Sequence, residues 1–259
     1  MRLDVFLADK GLTKSRNSAA ECIKLGLVCV NGHTNVKASM NVSEFDDVVL
    51  LGKPHNYVGR GGLKLEHALD HFNINVNGMC AIDIGASTGG FTDCLLQRGA
   101  VSVFSVDSGH DQLDPSLAAN PAVTSLEGFN ARNLTRDVVG YEVDIAVSDV
   151  SFISQTLIIE PAASVLKKDG IYICLVKPQF ECGASALSKN GIVKDKKQYR
   201  HAIQKVADAG INAGLSVVGL TRSPIVGGDG NREFLLYMIK DGSKTVYDRF
   251  IYDMDEVCQ

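Results

Sequence analysis

One glycine-rich turn constrains the fold of this chain more than any other feature. An apolar run ends in Asp83, and the turn that follows contains Gly85, Gly89 and Gly90 before a helix-like segment. A second apolar run ends in another acid, Asp107, 22 residues after Gly85. Glycines let a backbone approach a bound nucleotide where a Cβ atom would clash. The pattern predicts an adenosine-type cofactor whose ribose hydroxyls meet Asp107, because the usual offset of such an acid is about 20 residues.

The composition of the turn favours S-adenosylmethionine over a dinucleotide. The turn reads Gly-Ala-Ser-Thr-Gly-Gly instead of GxGxxG, and it has no basic residue to hold a pyrophosphate. An ordinary strand-to-helix turn would explain the glycines alone, and the correctly spaced acid decides for a cofactor. The candidate cofactor-binding residues are Asp83, Gly85, Ala86, Ser87, Thr88, Gly89, Gly90, Phe91, Asp107 and Asp149.

Composition excludes several classes of protein. The chain has 259 residues, of which 45% are apolar and 22% charged, and its net charge is −4, so it is no polycation and can bind nucleic acid only through a local basic face. Its seven cysteines are scattered without a CxxC pair, which argues against a metal site and against a disulfide framework. No apolar run approaches the roughly 20 residues of a membrane helix, and the charged N-terminus is unlike a signal peptide. We expect a cytoplasmic protein.

The first 50 residues have the pattern of two helices followed by a small sheet. Thr13 or Ser15 is placed to cap the second helix, and a glycine follows where that helix should end. A short apolar run then precedes Asn31-Gly32, a pair typical of a tight hairpin turn. We therefore expect a second strand after this turn and before Val48–Leu51.

This first segment is basic although the whole chain is acidic. Residues 1–42 contain six Lys/Arg and three Asp/Glu. Arg16 falls in the first turn of the predicted second helix, where the positive end of the helix dipole disfavours a cation. An external phosphate would relieve that cost. From charge alone, a solvated and weakly charged face is the favoured explanation of the pattern.

The stretch RLDVFLADKGLTKSRNSAAECIKLGLVCVNG resembles the S4 RNA-binding domain. It has the R-L-D start, a lysine before Ser-Arg, a helix of small residues and the G-x-V-x-V-N-G hairpin, in that order. The resemblance implies that Arg2, Lys14, Arg16 and Lys24 face the phosphates of structured RNA. Arg60, which follows this unit, completes the set of candidate RNA-binding residues.

After a linker predicted at 52–60, short apolar runs alternate with helix-like segments. The runs lie at 80–84, 101–106, 144–147, 171–176, 215–220 and 234–239. This rhythm predicts an α/β fold, a doubly wound and mostly parallel sheet of Rossmann type with helices on both faces. A glycine-rich turn joins the last two runs, so we expect a terminal antiparallel hairpin. The expected domains are a small α+β unit at 1–51 and the Rossmann-like unit at 61–259.

Four ionisable residues stand at the ends of these elements. They are Lys64, Asp149, Lys177 and Glu233. Ligands of an open α/β sheet bind beyond the carboxyl ends of its strands, so Asp149 and Lys177 should point at the cofactor crevice. Each residue alone has an ordinary explanation, such as a solvated lysine or a helix-capping acid. The combination Lys-Asp-Lys-Glu in this order, with the cofactor turn between the first lysine and the aspartate, is much harder to explain by such ordinary roles.

That order resembles the RrmJ/FtsJ-like class of ribose 2′-O-methyltransferases. Nearly the whole chain resembles the TlyA family of rRNA 2′-O-methyltransferases, also labelled haemolysins, in a short form. The motifs that carry this resemblance are Y-V-G-R-G-G-L-K-L-E, D-I-G-A-S-T-G-G-F-T-D, D-V-S-F-I-S, K-P-Q-F-E and G-N-R-E-F. Gly59 stands where serine is more usual. The resemblance implies that the four ionisable residues are a catalytic tetrad and that the methyl acceptor is a cytidine ribose of ribosomal RNA or of a ribosomal subunit. A monomer without metal is expected.

The chemistry suggests a division of roles within the tetrad. A ribose 2′-hydroxyl is a poor nucleophile and must lose its proton as it attacks. We predict that Lys177 is the base, that Asp149 orients it, and that Lys64 and Glu233 position the ribose. Three alternatives stay open, namely a membrane-lytic protein, a non-catalytic RNA-binding assembly factor and a small-molecule methyltransferase. The lytic protein is disfavoured by the lack of a membrane helix, and the assembly factor by the intact tetrad. The small-molecule enzyme is disfavoured by the S4-like unit.

Overall fold

The computed structural model describes residues 1–258 and separates into two units. One unit is Met1–Asn56, and the other begins at Tyr57. The division falls inside the predicted linker, and the predicted domain bounds of 1–51, 52–60 and 61–259 stay a prediction. Among the described residues, no helix combines the length and the apolar character that crossing a bilayer requires.

The N-terminal unit contains two helices and a two-stranded sheet. Its elements are α1 (Leu3–Asp9), α2 (Arg16–Lys24), β1 (Val28–Val30) and β2 (Val48–Leu50). Ser15, and not Thr13, caps α2, because its hydroxyl accepts a hydrogen bond from the Ser18 N–H at 3.2 Å. Buried Leu3 and Leu7 of α1 belong to the apolar cluster that joins the helices to the sheet.

The prediction of a strand between the Asn31-Gly32 turn and Val48–Leu51 is wrong, because the strand that follows β1 is β2 at Val48–Leu50. Both turn residues have positive φ, 51° and 82°, and Val30 and His33 exchange backbone hydrogen bonds across them. The pairing stops there, and β1 pairs with β2 in antiparallel register. The residues after the turn are mostly polar, although Val36, Ala38 and Val42 pack on the apolar cluster as Val48 and Leu50 of β2 do. The unbroken apolar run Val48–Leu50 supplies the strand that pairs with β1.

The second unit is built on one seven-stranded sheet in the order β5-β4-β3-β6-β7-β9-β8. Its strands are β3 (Cys80–Ile84), β4 (Ser102–Val106), β5 (Val123–Leu126), β6 (Val143–Ser148), β7 (Leu166–Val176), β8 (Ser216–Arg222) and β9 (Phe234–Ile239). Strands β3 to β7 are parallel, and β9 runs antiparallel to both β7 and β8. The predicted α/β class, with its mostly parallel sheet and terminal antiparallel pair, is confirmed.

Helices cover both faces of the sheet. They are α3 (Gly61–Phe72), α4 (Gly90–Gln97), α5 (Pro115–Ala118), α6 (Arg136–Val139), α7 (Ile159–Val165), α8 (Pro178–Glu181), α9 (Lys196–Asn212) and α10 (Asp248–Val257). One buried apolar cluster contains residues of α3 and α4, and the other contains residues of α7, α9 and α10. This double layer leaves the carboxyl edge of the parallel strands free for a ligand.

Two elements of the second unit were absent from the sequence prediction. Strand β5 lies at the sheet edge and exposes Thr124 and Ser125, so its sequence lacks a buried apolar run. Helix α10 buries Phe250, Met254 and Val257. Their spacing of four and three residues is a helical signal that the sequence did contain.

Candidate active site

The four ionisable residues singled out in the sequence form one cluster of ion pairs. The Lys177 Nζ lies 2.6 Å from the Asp149 Oδ1. The Lys64 Nζ lies 2.7 Å from the Glu233 Oε2 and 3.4 Å from the Asp149 Oδ2. Asp149 thus stands between the two lysines. The side chains form a continuous chain in the order Lys177, Asp149, Lys64, Glu233.

The topology of the sheet explains this convergence. Asp149 directly follows β6 and Lys177 directly follows β7, and these strands are parallel neighbours. Glu233 precedes β9, whose first residue Phe234 lies opposite the last residue of β7. Lys64 comes from the first turn of α3. Residues far apart in sequence therefore meet at one edge, as predicted from the strand ends.

Burial makes the cluster electrostatically sensitive. The side chains of Lys64 and Lys177 are each 9% exposed, and that of Glu233 is 3% exposed. Two cations and two carboxylates balance, which is the condition under which buried charges persist. Burial raises the pKa of the Glu233 carboxyl above its usual value, and the ion pair with Lys64 opposes that rise.

Lys177 has a further polar partner that sequence reasoning missed. Its Nζ donates a hydrogen bond to the Ser151 Oγ at 2.7 Å, and it lies 6.0 Å from the centre of the Phe180 ring. Ser151 is exposed, two residues after Asp149 in the D-V-S-F-I-S motif. The Lys177 ammonium group is therefore fixed between a carboxylate and a hydroxyl.

The predicted cofactor turn packs directly against the end of β6. Gly85 has a φ of 84°, and a Cβ atom there would lie 2.7 Å from the Asp149 carbonyl oxygen. Position 85 thus requires glycine for its backbone angle and for its space. A Cβ atom at Gly59 would lie 2.7 Å from the Thr88 Oγ1. Glycine, in place of the serine more usual at this position, therefore leaves room for the Thr88 side chain.

Asp107 is held rigidly at the end of β4. Its Oδ2 accepts a hydrogen bond from the Ser87 N–H at 2.8 Å, and its Oδ1 accepts one from the Gly109 N–H at 2.7 Å. Each carboxylate oxygen keeps a second lone pair for another donor. The Asp107 carboxylate can therefore accept a ligand hydroxyl without losing its own support.

A cleft of about 360 Å³ lies between these strand ends. It is lined by Gly85, Ser87, Val106, Asp107, Ser108, Gln112, Phe129, Asn130, Ala131, Asp149, Val150, Ser151, Phe152, Ile153 and Ile158. Four of the predicted cofactor residues line it, namely Gly85, Ser87, Asp107 and Asp149. The remaining six, Asp83, Ala86, Thr88, Gly89, Gly90 and Phe91, lie outside its lining. Phe129 and Asn130 follow β5, which explains why sequence reasoning missed them.

Asp83 lies beneath the turn and is fully buried. Its Oδ2 accepts hydrogen bonds from the backbone N–H and the hydroxyl of Thr92, at 2.9 and 2.7 Å, while its Oδ1 has no partner. Burial raises the pKa of Asp83 to about 7, against the opposing effect of the Thr92 hydrogen bonds. Asp83 joins β3 to the first turn of α4.

Phe152, at the rim of the cleft, is strained and exposed. Its φ is 63° and its side chain is 92% exposed, with its ring 5.3 Å from that of Phe180. A bulky residue in the left-handed region costs energy and is uncommon outside functional positions. The strain presents an aromatic face next to Asp149 and Ser151.

The candidate RNA-binding residues of the N-terminal unit are exposed. Arg2 makes two hydrogen bonds of 3.0 Å with Asp4, and the Arg16 guanidinium lies 3.6 Å from the same carboxylate. Asp4 therefore supplies part of the negative charge that we expected only from an external anion at the start of α2. Lys14 and Lys24 are also exposed.

Arg60 belongs to the second unit and precedes α3. A Cβ atom at Gly228 would lie 3.6 Å from its Nη2, so Arg60 stands near the glycine-rich turn before Glu233.

Comparison with known proteins agrees with this geometry. The FtsJ-like methyltransferase family matches residues 57–240, and the S4 domain matches residues 1–49. The 16S/23S rRNA (cytidine-2′-O)-methyltransferase TlyA of Mycobacterium tuberculosis is 39% identical over 238 residues, which are 92% of this chain and 89% of that protein. This chain belongs to the TlyA family of FtsJ-like methyltransferases.

Other TlyA-like proteins have a different name. Hemolysin A of Brachyspira hyodysenteriae is 39% identical over 244 residues, which are 92% of this chain and 100% of that protein. A solved structure described as a "putative hemolysin" from Streptococcus thermophilus is 39% identical, with a TM-score of 0.80 over 100% of this chain and 94% of that one. The fold of the TlyA family member described here is thus shared along its whole length.

Proposed function

We propose that the protein transfers a methyl group from S-adenosylmethionine to the ribose 2′-hydroxyl of a cytidine in ribosomal RNA. The observation that carries this proposal is the buried chain of Lys177, Asp149, Lys64 and Glu233 beside the cleft that contains Asp107. The name of the Mycobacterium tuberculosis relative supports the same reaction and the same class of substrate.

The residues of the cleft fit S-adenosylmethionine. Gly85 leaves space for a close approach, and the Asp107 carboxylate is placed to accept hydrogen bonds from ribose hydroxyls. The residues that line the cleft in the described chain include no lysine or arginine, which suits a cofactor without a pyrophosphate. When bound, S-adenosylmethionine supplies an electrophilic methyl group.

The chain itself would supply the acid–base chemistry. Lys177 in its neutral form takes the proton of the attacking 2′-hydroxyl at its Nζ. Asp149, at 2.6 Å, stabilises the ammonium group that results, and Ser151 fixes its orientation. Lys64 and Glu233 hold the ribose in place.

The rim of the cleft suits a nucleotide taken out of its stack. Sequence-specific RNA recognition commonly places unstacked bases on aromatic side chains. Phe152 offers such a face beside the tetrad. The exposed cations Arg2, Lys14, Arg16 and Lys24, together with Arg60, would bind phosphates of the structured RNA around that nucleotide.

Mapping of ribose methylation tests the proposal. Purified protein with S-adenosylmethionine should add 2′-O-methyl groups at discrete cytidines of unmethylated ribosomal subunits or of their RNA, and Lys177→Ala should not. The same preparations are mixed with dye-loaded lipid vesicles. Dye release without methylation would favour the lytic alternative. RNA binding without methylation would favour a non-catalytic assembly factor.

A further inference from the structure

A second basic surface lies on the second unit, called here the catalytic unit, outside the candidate active site. Residues 188–200, called here the lysine segment, contain five cations and one acid in a chain whose net charge is −4. The five cations, all exposed, are Lys189, Lys194, Lys196, Lys197 and Arg200. Such a local excess creates a positive potential that the net charge of the chain conceals.

Most of this charge has no internal partner. Arg200 pairs with Asp255 at 2.5 Å, but the four lysines form no ion pair within residues 1–258. Asp195, the acid of the segment, accepts a hydrogen bond from the Lys197 N–H at 2.9 Å as the cap of α9. Lys196 and Lys197 stand in the first turn of that 17-residue helix, where the dipole disfavours cations. An external anion would pair with the free lysines and would offset the unfavourable interaction of Lys196 and Lys197 with the helix dipole.

The lysine segment is fixed to the strand end that carries Glu233. Asn231, 1% exposed, accepts a hydrogen bond from the Val193 N–H at 2.9 Å and donates one to the Gly191 carbonyl at 3.0 Å. Asn231 lies two residues before Glu233 in the chain. The Tyr199 hydroxyl donates to the Val193 carbonyl at 2.7 Å. The lysines are therefore held in place relative to the active site, and do not sit on a free loop.

The surface suits a phosphate backbone better than a lipid bilayer. The lysines are spread over the segment and over the open cavity of about 520 Å³ between α9 and α10, which Lys196, Lys197 and Arg200 line. Residues 188–190, which begin the segment, are polar and exposed, unlike the apolar face that an interfacial helix inserts into a membrane. Exposed lysines without ion-pair partners are the usual means of contacting RNA phosphates.

We propose that the lysine segment is a second phosphate-binding surface for the substrate RNA, held beside Glu233 by Asn231. This inference rests on the proposed function, because it assigns the RNA a contact on the catalytic unit in addition to the S4-like unit. The segment would bind RNA flanking the methylated nucleotide and so reduce the freedom of the target ribose.

The test compares two double charge reversals with equal changes of charge. Lys196→Glu/Lys197→Glu alters the segment. Lys168→Glu/Lys244→Glu alters two exposed lysines at the opposite edge of the sheet, where β7 begins and β9 ends. Binding of 16S and 23S rRNA transcripts is measured by fluorescence anisotropy at several salt concentrations, and KM, kcat and S-adenosylmethionine affinity are measured on the same preparations.

We expect Lys196→Glu/Lys197→Glu to weaken RNA binding and raise the RNA KM by about tenfold or more, and to reduce the salt slope by about 2, one for each lost phosphate contact. The kcat at saturating RNA and the cofactor affinity should stay within about twofold of the parent. The control pair should match the parent. Equal effects of both pairs, or unchanged RNA binding in the segment variant, would overturn the proposal.

Two further measurements separate this inference from its alternatives. Binding to vesicles containing phosphatidylserine that is lost in Lys196→Glu/Lys197→Glu, with RNA affinity unchanged, would assign the surface to membranes and overturn the proposal. A parent protein that binds RNA but methylates none contradicts the proposed function alone, since the anisotropy series still decides whether the segment binds RNA. A parent that methylates RNA with the KM unaffected by the segment variant contradicts only the inference made here.

Discussion

The two units place their cations in opposite ways. In the N-terminal unit, Arg2 and Arg16 are 50% and 62% exposed and share one carboxylate, Asp4. In the catalytic unit, Lys64 and Lys177 are buried, and each has a carboxylate oxygen at 2.7 or 2.6 Å. Exposed charges act over a Debye length and are weakened by salt. Buried pairs have a fixed geometry at a cost in desolvation. The first arrangement suits capture of a polyanion, and the second suits positioning of a reacting group.

Asp4 and Glu233 are both buried, but different effects dominate the pKa of each carboxyl. The hydrogen bonds from Arg2 lower the pKa of Asp4 to about 2, so Asp4 stays ionised under ordinary conditions. Burial raises the pKa of Glu233 instead. Asp4, held by two exposed guanidinium groups, therefore keeps a constant charge, while the ionisation of Glu233 responds to pH and to the loss of Lys64.

Removal of Lys177 should give the largest effect. Lys177→Ala should reduce the single-turnover rate of methyl transfer by about 10²–10⁴-fold, the usual contribution of general-base catalysis. S-adenosylmethionine affinity should change little, whereas thermal stability should fall because Lys177 is one member of a buried ion pair with Asp149. The rate is therefore measured at a temperature where the variant is folded.

Lys177→Arg is the matched variant that separates a base from a fixed charge. A guanidinium group keeps its proton near neutral pH, so this variant should stay as slow as Lys177→Ala. Near-normal transfer by Lys177→Arg would show that Lys177 only places a charge, and the base would then have to be another group.

Lys64→Met should break the charge balance of the buried cluster. Removal of one member of a buried ion pair typically costs about 3–5 kcal/mol. Because the pKa of Glu233 is raised in the folded state, that state binds the proton more tightly than the unfolded chain, and stability falls as pH rises from the usual value of 4.5 through the raised one. Loss of Lys64 raises this pKa further, so the destabilisation should be larger at pH 8 than at pH 5.

Urea unfolding at both pH values measures this effect. Lys168→Met, which removes an exposed lysine, is the control and should stay within about 0.5 kcal/mol of the parent. An equal loss at the two pH values would mean that packing, and not charge balance, explains the change.

Substitutions at Asp107 test whether its carboxylate binds the cofactor. Asp107→Ala should weaken S-adenosylmethionine binding by about 1–3 kcal/mol, the typical cost of a lost hydrogen bond to a charged group. Asp107→Asn keeps a carbonyl acceptor for one of the two backbone N–H groups and should lose less. Calorimetry measures both, and unchanged affinity in Asp107→Ala would remove this residue from the cofactor site.

Sequence reasoning could bring Asp149 and Lys177 together because the sheet gathers the ends of its strands. The catalytic role of the four ionisable residues came from the family resemblance and stays a prediction. An acid after β6 and a lysine after β7 must be neighbours once the two strands are parallel and adjacent. The same logic placed Gly85 and Asp107 in the cleft. These predictions depend on topology, which apolar runs reveal.

The features that sequence reasoning missed depend on local geometry or on weak patterns. Ser151 meets Lys177 because of how the loop after Asp149 bends, and no periodic pattern encodes that bend. Asn130 was missed because β5 before it is short and half exposed. Phe91, one of the predicted cofactor residues, belongs to the buried apolar cluster with α3, and its contact with the cofactor stays a prediction.

The smallest effect should come from an exposed cation of the N-terminal unit. Arg16→Glu should weaken binding to ribosomal RNA by about tenfold near 0.15 M salt and reduce the salt slope by about one, because one phosphate contact is lost. Lys37→Glu, at another exposed position of the same unit, is the matched control and should leave both quantities as in the parent. The kcat at saturating RNA should stay unchanged in both variants, in contrast to every change in the buried cluster. Equal losses in the two variants would mean that the N-terminal unit attracts RNA by its overall charge and not through the start of α2. A drop in kcat would mean that this unit also affects the chemical step, and would contradict the assignment of RNA capture to one unit and chemistry to the other.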